Sequence, residues 1–197
     1  MKSLLEYANE IKEYISSING VKSCTLYGSL ENNSFDEYSD IDIEIDVSGY
    51  DNSLFLIKLS EIMSQKYPVI FSDYAPSLIP ESYIVSIAIN ENNPFCVVDF
   101  KCTATPHCTT LGKQDFVMDK VEHTMKLWTA NCKHYLRGMD CKGNIMRMAK
   151  RVIGAEELTY MSESEMLEVT LNWLEQNCKE KHSKYINNCR SYIEERY

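Results

Sequence analysis

The chain has 197 residues, 44% hydrophobic and 25% charged, which is room for one ordinary domain or two small ones and excludes a disordered chain. Its net charge of −9 is lopsided, with −10 on residues 1–104 and +1 on residues 105–197. Acidic surface repels phosphate backbones, so a nucleic-acid partner is disfavoured and a neutral or cationic small molecule is expected.

Leu4, Leu5, Ala8, Ile11 and Ile15 recur at helical spacing and predict a first helix, ended by the turn formers Asn19-Gly20. Glu6 and Glu10 fall where a secretion signal needs an apolar run, and no stretch approaches the roughly 18 apolar residues of a membrane span. A soluble, cytoplasmic protein without membrane contact is therefore expected. Residues 21–27 read as a strand running into Gly28. Along residues 41–47, Ile41, Ile43, Ile45 and Val47 alternate with Asp42, Glu44 and Asp46, a strand with one apolar and one acidic face that Asp40 joins.

Residues 52–67 read as a helix stopped by Pro68. Strands are predicted at 83–89 and 95–102, joined as a hairpin by Asn90-Glu-Asn-Asn-Pro94, and residues 69–74 are a candidate further strand. Beyond Thr103-Ala-Thr-Pro106 the alternation stops, and helices are predicted at about 114–137, 143–155, 163–178 and 182–195. The expected architecture is α+β: a mixed sheet with helices over residues 1–105, then an all-α bundle over residues 106–197. Trp128 and Trp173 sit in apolar helical stripes and are expected in its core.

The chemistry concentrates in Tyr27-Gly-Ser-Leu-Glu-Asn-Asn-Ser-Phe-Asp-Glu-Tyr-Ser-Asp-Ile-Asp-Ile43. Side chains at i and i+2 of a strand point the same way with Cα atoms roughly 6.5–7 Å apart, so Asp40 and Asp42 can converge on hard cations. Gly28 lets backbone approach a phosphate, and Ser29 adds a hydroxyl and an N–H. Either feature alone is usually a surface strand or a common turn; their fixed order points to a metal-bound nucleoside triphosphate.

The other polar residues carry less. The eight cysteines include no C-x-x-C pair, the nearest approach to a zinc set being Cys102, His107 and Cys108, and reduced thiols serving as small apolar residues are expected. The four histidines show no ligand spacing. Arg147, Lys150 and Arg151 form one basic helical face, and Lys133 with Arg137 form another. Either could be solvated, but a triphosphate needs cations and residues 1–104 hold only six Lys and Arg. Lys101 is expected to touch phosphate or pair with Asp99.

The pattern Gly28-Ser29 followed by Asp40-x-Asp42 resembles that of the DNA polymerase β-type nucleotidyltransferase superfamily, and Asp36-Glu-Tyr-Ser-Asp-Ile-Asp-Ile43 is similar to small bacterial aminoglycoside and lincosamide nucleotidyltransferases. Those members commonly have glycine where this chain has Asn33. Asn is the next most tolerant of positive φ, so the turn is expected to survive. The resemblance implies a third carboxylate on a later strand, matched by Asp99, as metal ligand or general base. An apolar setting of Val97, Val98 and Phe100 is expected to raise its pKa without metal. Glu81 is the weaker candidate base.

The resemblance thus implies a two-metal magnesium site on Asp40, Asp42 and Asp99 with the triphosphate on Gly28 and Ser29, and the need for phosphate cations points to Lys133 and Arg137 as further nucleotide-binding residues. The implied reaction moves AMP or another nucleoside monophosphate from ATP or another NTP to a hydroxyl of a small molecule, releasing pyrophosphate. Two alternatives stand beside it: a minimal protein-modifying nucleotidyltransferase of a toxin–antitoxin pair, against which the residues after Pro106 argue, and a degenerate nucleotide-binding module.

Overall fold

The computed structural model describes residues 2–79, 82–105, 110–154 and 157–194. The elements in order are α1 (Leu4–Ser16), β1 (Ser23–Tyr27), α2 (Gly28–Glu31), β2 (Ile41–Asp46), α3 (Asn52–Ser64), β3 (Phe71–Ile79), β4 (Ser82–Ala88) and β5 (Val97–Thr103), then α4 (Lys120–Leu136), α5 (Lys142–Ala149), α6 (Glu163–Asn177) and α7 (Ser183–Glu194). They group into two compact units, one of residues up to Ile89 with Cys96–Met118, the other of Asn90–Phe95 with Asp119–Tyr197.

The first unit is built on a five-stranded sheet in the order β1-β2-β5-β4-β3. Only the β2–β5 pair is parallel; β1–β2, β5–β4 and β4–β3 are antiparallel, so the sheet is mixed as expected. Alternation along β2 does what it predicts: Ile41, Ile43 and Ile45 are fully buried while Asp42, Glu44 and Asp46 are half-buried on the other face. Ile43 pairs with Phe100 and Phe100 with Val85, and this apolar face carries the core together with Ala8, Ile11 and Ile15 of α1 and Leu56, Leu59 and Met63 of α3. The Tyr14 hydroxyl donates to Ile62 O at 2.9 Å and ties α1 to α3.

Both helices begin on a side-chain cap, which satisfies backbone donors that the helix itself cannot. Ser3 and Glu6 close a capping box on α1, and the Asp51 carboxylate accepts from the Ser53 and Leu54 amides of α3. The candidate strand at 69–74 exists and runs longer, as β3. The β4–β5 hairpin also forms, with Ala88 opposite Val97, although its loop Asn90–Phe95 groups with the helical unit.

In the second unit, Trp128 is fully buried and its indole N–H donates to Leu167 O at 3.0 Å. The buried Tyr185 hydroxyl lies 2.6 Å from Thr129 Oγ1 and 3.0 Å from Pro94 O, and Phe95 stacks edge-on against Tyr192. Glu91 pairs with Lys184 at 2.5 Å, fixing the 90–95 segment to α7. Trp173 departs from expectation: it is half-exposed, with the Lys120 ammonium 4.9 Å from its ring centre.

Two helix boundaries also differ. The helix expected from residue 114 begins at Lys120, because Asp119 caps it by accepting from the Val121 and Glu122 amides, while Lys113–Asp115 forms a separate 3₁₀ turn. The helix expected to reach 155 ends at Ala149, where the amides of Arg151 and Val152 bond three residues back to Met148 and Ala149. No helix among the described residues is long and apolar enough to cross a membrane. Cys24, Cys96, Cys102, Cys132, Cys141 and Cys189 are buried thiols, and burial pushes those of Cys96 and Cys102 up to about 12. His107, Cys108 and Glu81 lie outside the described residues.

Candidate active site

Strand pairing brings the site together. Asp42 is the direct partner of Asp99 across the parallel β2–β5 pair, and on its other side Asp42 faces Tyr27 of β1. Asp99 in turn pairs with Ser86 of β4, and Ser86 with Asp73 of β3. Directly paired residues share a face, so Tyr27, Asp42, Asp99, Ser86 and Asp73 form one polar row across the whole sheet, on the side away from the core.

Only part of that row was legible in sequence. Asp42 and Asp99 were anticipated; Ser86 and Asp73 were not, since a Ser and an Asp inside apolar strands signal nothing without the register. Both are buried, Ser86 to 1% exposure and Asp73 to 2%. The Ser86 hydroxyl donates to Asp99 Oδ1. The setting of Asp99 is therefore more polar than its neighbours in sequence imply, because Val98 and Phe100 alternate to the other face.

Asp40 lies just before β2 and is placed by a local turn. Asp36 Oδ1 accepts from the Tyr38 amide at 3.0 Å and from the buried Ser39 hydroxyl at 2.9 Å, and Ser39 Oγ accepts from the Asp36 amide at 3.0 Å. The Tyr27 phenol registers the whole set: burial raises its pKa, and the charges of Asp42, Asp99, Glu44 and Asp40 raise it further.

Gly28 opens α2 with φ +71°, a conformation costly for residues with a Cβ. A Cβ there would run into Asp42 Oδ2 and stand 3.1 Å from its Cγ. The glycine thus makes room for the carboxylate of the next strand, as well as leaving backbone open to a ligand. No side chain caps α2, and the Ser29 and Leu30 amides in its first turn have no acceptor within the helix. Asn33 takes φ +52°, the one positive-φ residue other than glycine among those described, so the expected turn forms with Asn in place of Gly.

Lys101 pairs with Glu44 at 3.0 Å, its cross-strand partner, and not with Asp99. Lys133 is half-buried on α4 and Arg137 is the exposed C-cap of the same helix, so both belong to the second unit and the carboxylates to the first.

Among the described residues no group of three or more His, Cys, Asp or Glu side chains is set to hold a metal ion by itself. The donor set nevertheless suits magnesium, which takes one or two carboxylates and completes its shell with water and substrate phosphate. Asp42 and Asp99 on adjacent strands, with the space beside Asp42 cleared by Gly28, provide such a pair.

A mixed sheet with covering helices, a glycine turn and an aspartate pair on adjacent strands define a polymerase β-like nucleotidyltransferase domain, followed by a helical region. Residues 8–92, somewhat under half of the chain, match the family described as "Nucleotidyltransferase domain", which supports a nucleotidyltransferase. No curated protein matches the chain. Similar solved structures include a chain of the "structure of GLD-2/RNP-8 complex", at 10% identity and TM-score 0.42, covering 88% of this chain and 78% of that one. Another comes from "Structure and function of the polymerase core of TRAMP, a RNA surveillance complex", at 11% identity and TM-score 0.38, covering 95% of this chain and 55% of that one. Neither likeness assigns a substrate to this chain.

Proposed function

We propose that the protein moves a nucleoside monophosphate, AMP in the first instance, from an NTP to a hydroxyl of a small molecule and releases pyrophosphate. The observation that carries this reading is the direct pairing of Asp42 with Asp99 beside a Gly28 whose missing Cβ leaves Asp42 its place. Asp40, Asp42 and Asp99 would hold magnesium, which when bound neutralises the triphosphate and the charge developing on the leaving oxygen. The Ser29 amide and hydroxyl bind phosphate oxygens. Lys133 and Arg137 supply cationic contacts to the triphosphate.

In the transfer, the acceptor oxygen bonds to the α-phosphorus as the bond to the bridging oxygen of pyrophosphate breaks. Asp99 takes the acceptor proton or shares the metal with Asp42, and the hydrogen bond from Ser86 supports either role. The excess of acidic residues in the first 104 positions favours a cationic acceptor such as an aminoglycoside, with lincosamides next. The test is pyrophosphate release and a nucleotide mass gain on one acceptor from a panel of aminoglycosides, lincosamides and proteins, with ATP and Mg²⁺. Asp42→Asn should lower the rate at least 100-fold. Turnover retained in that variant would move the site elsewhere, and modification of a protein alone would favour the toxin–antitoxin alternative.

A further inference from the structure

The helical unit carries a pocket of about 290 Å³ between α4 and α5 that the transfer reading does not use. Its lining is partly apolar, from Leu127, Ala130 and the buried Met148, and includes Arg147 and Arg151. Both arginines line the pocket, Arg147 from the last turn of α5 and Arg151 from the turn just past its end.

Their partners are the informative point. Arg147 donates to the Asn144 side-chain oxygen, and Arg151 Nη1 lies 2.7 Å from His123 Nε2, so the two guanidiniums contact an amide and an imidazole. Four other cations of this unit sit on carboxylates: Lys179 on Asp119, Lys181 on Glu122, Lys184 on Glu91 and Arg190 on Glu175. In a chain of net charge −9, two guanidiniums that line one pocket and contact an amide and an imidazole have the chemistry to receive an anion.

The pocket is not the face assigned to the triphosphate. Leu127, Ala130, Asn131 and His134 line it from α4, and Lys133 and Arg137 are not among its lining residues. Its size is at the lower end of small-molecule pockets, which run from about 300 Å³, and suits one compact ligand rather than a polymer.

We propose that the α4–α5 pocket binds a phosphate ester on a compact, partly apolar body, typified by a nucleoside 5′-monophosphate, with the phosphate on Arg147 and Arg151. The proposal rests on the transfer reading only in setting Lys133 and Arg137 aside for the donor triphosphate.

Titration calorimetry of the full chain with AMP and with inorganic phosphate, without metal, tests it. One saturable AMP site is expected, weakened at least tenfold in the Arg147→Gln/Arg151→Gln double variant and changed less than twofold in Lys133→Gln/Arg137→Gln. Circular dichroism checks that each variant is folded, and the single Arg147→Gln and Arg151→Gln variants should each show part of the loss. Saturation with Mg²⁺ and a non-hydrolysable ATP analogue should leave AMP affinity within threefold. Absence of saturable binding, insensitivity to the arginine variants, or full displacement by the ATP analogue overturns the proposal; the last would make the pocket part of the donor site. AMP binding that persists in a protein releasing no pyrophosphate would defeat the transfer reading and leave the pocket standing.

Discussion

Gly28→Ala should separate two costs that usually travel together. The first is backbone strain, since φ is +71° and a left-handed residue with a Cβ costs roughly 1–2 kcal/mol. The second is local: the new Cβ meets the Asp42 carboxylate, whose Cγ would be 3.1 Å away where an ordinary contact begins at 3.4 Å and whose Oδ2 is nearer still. Relief requires Asp42 to retreat by roughly half an ångström or more, and displacement of a reacting geometry by about 1 Å costs on the order of 100-fold in rate. Gly138→Ala is the matched control, with φ +68° and nothing within 4 Å of the new atom. Both variants should lose roughly 1–2 kcal/mol in urea unfolding, but only Gly28→Ala should lose pyrophosphate release by about 100-fold. Activity of Gly28→Ala within threefold of wild type would refute the idea that this glycine exists to seat Asp42.

Ser86→Ala removes the hydroxyl that holds Asp99 Oδ1, a bond to a charged group worth about 1.5–3 kcal/mol; kcat should fall at least tenfold with the KM for NTP kept, and an unchanged kcat would mean Asp99 is oriented by something else. Asp51 predicts an acid dependence: burial alone would raise its pKa, but hydrogen bonds from Ser53, Thr110 and Leu54 bring it down to about 2 from 3.8. Its contribution to stability is therefore full above pH 3.8 and is lost as pH falls toward 2, so Asp51→Asn, which keeps a capping side chain, should flatten the acid limb of a urea-midpoint profile. Asp119→Ala removes the N-cap of α4 and should cost about 1 kcal/mol in denaturant unfolding.

The likeness of β2 in sequence and structure has a simple origin. Strict alternation of Ile41, Ile43 and Ile45 with Asp42, Glu44 and Asp46 leaves one way to bury the apolar set, so the acidic face follows from the pattern alone. Helix starts were harder, because Asp119 becomes a cap only when the chain before it turns away, and the apolar Phe116-Val117-Met118 imitates a helical stripe. Trp173 was misplaced for a related reason: its stripe is apolar, but Lys120 covers the ring from α4.

The local sequence determined the glycine turn, the Asp40–Asp42 spacing and the positive-φ role of Asn33, since each depends on residues near one another in the chain. Tertiary structure decided which strand lies beside β2. The parallel β2–β5 register sets Asp99 against Asp42, adds Ser86 and Asp73 to the row, and gives Lys101 to Glu44. Residues this far apart in the chain become neighbours through sheet pairing, and that pairing is chosen by how the opposite face packs Ile43, Phe100 and Val85 into one core.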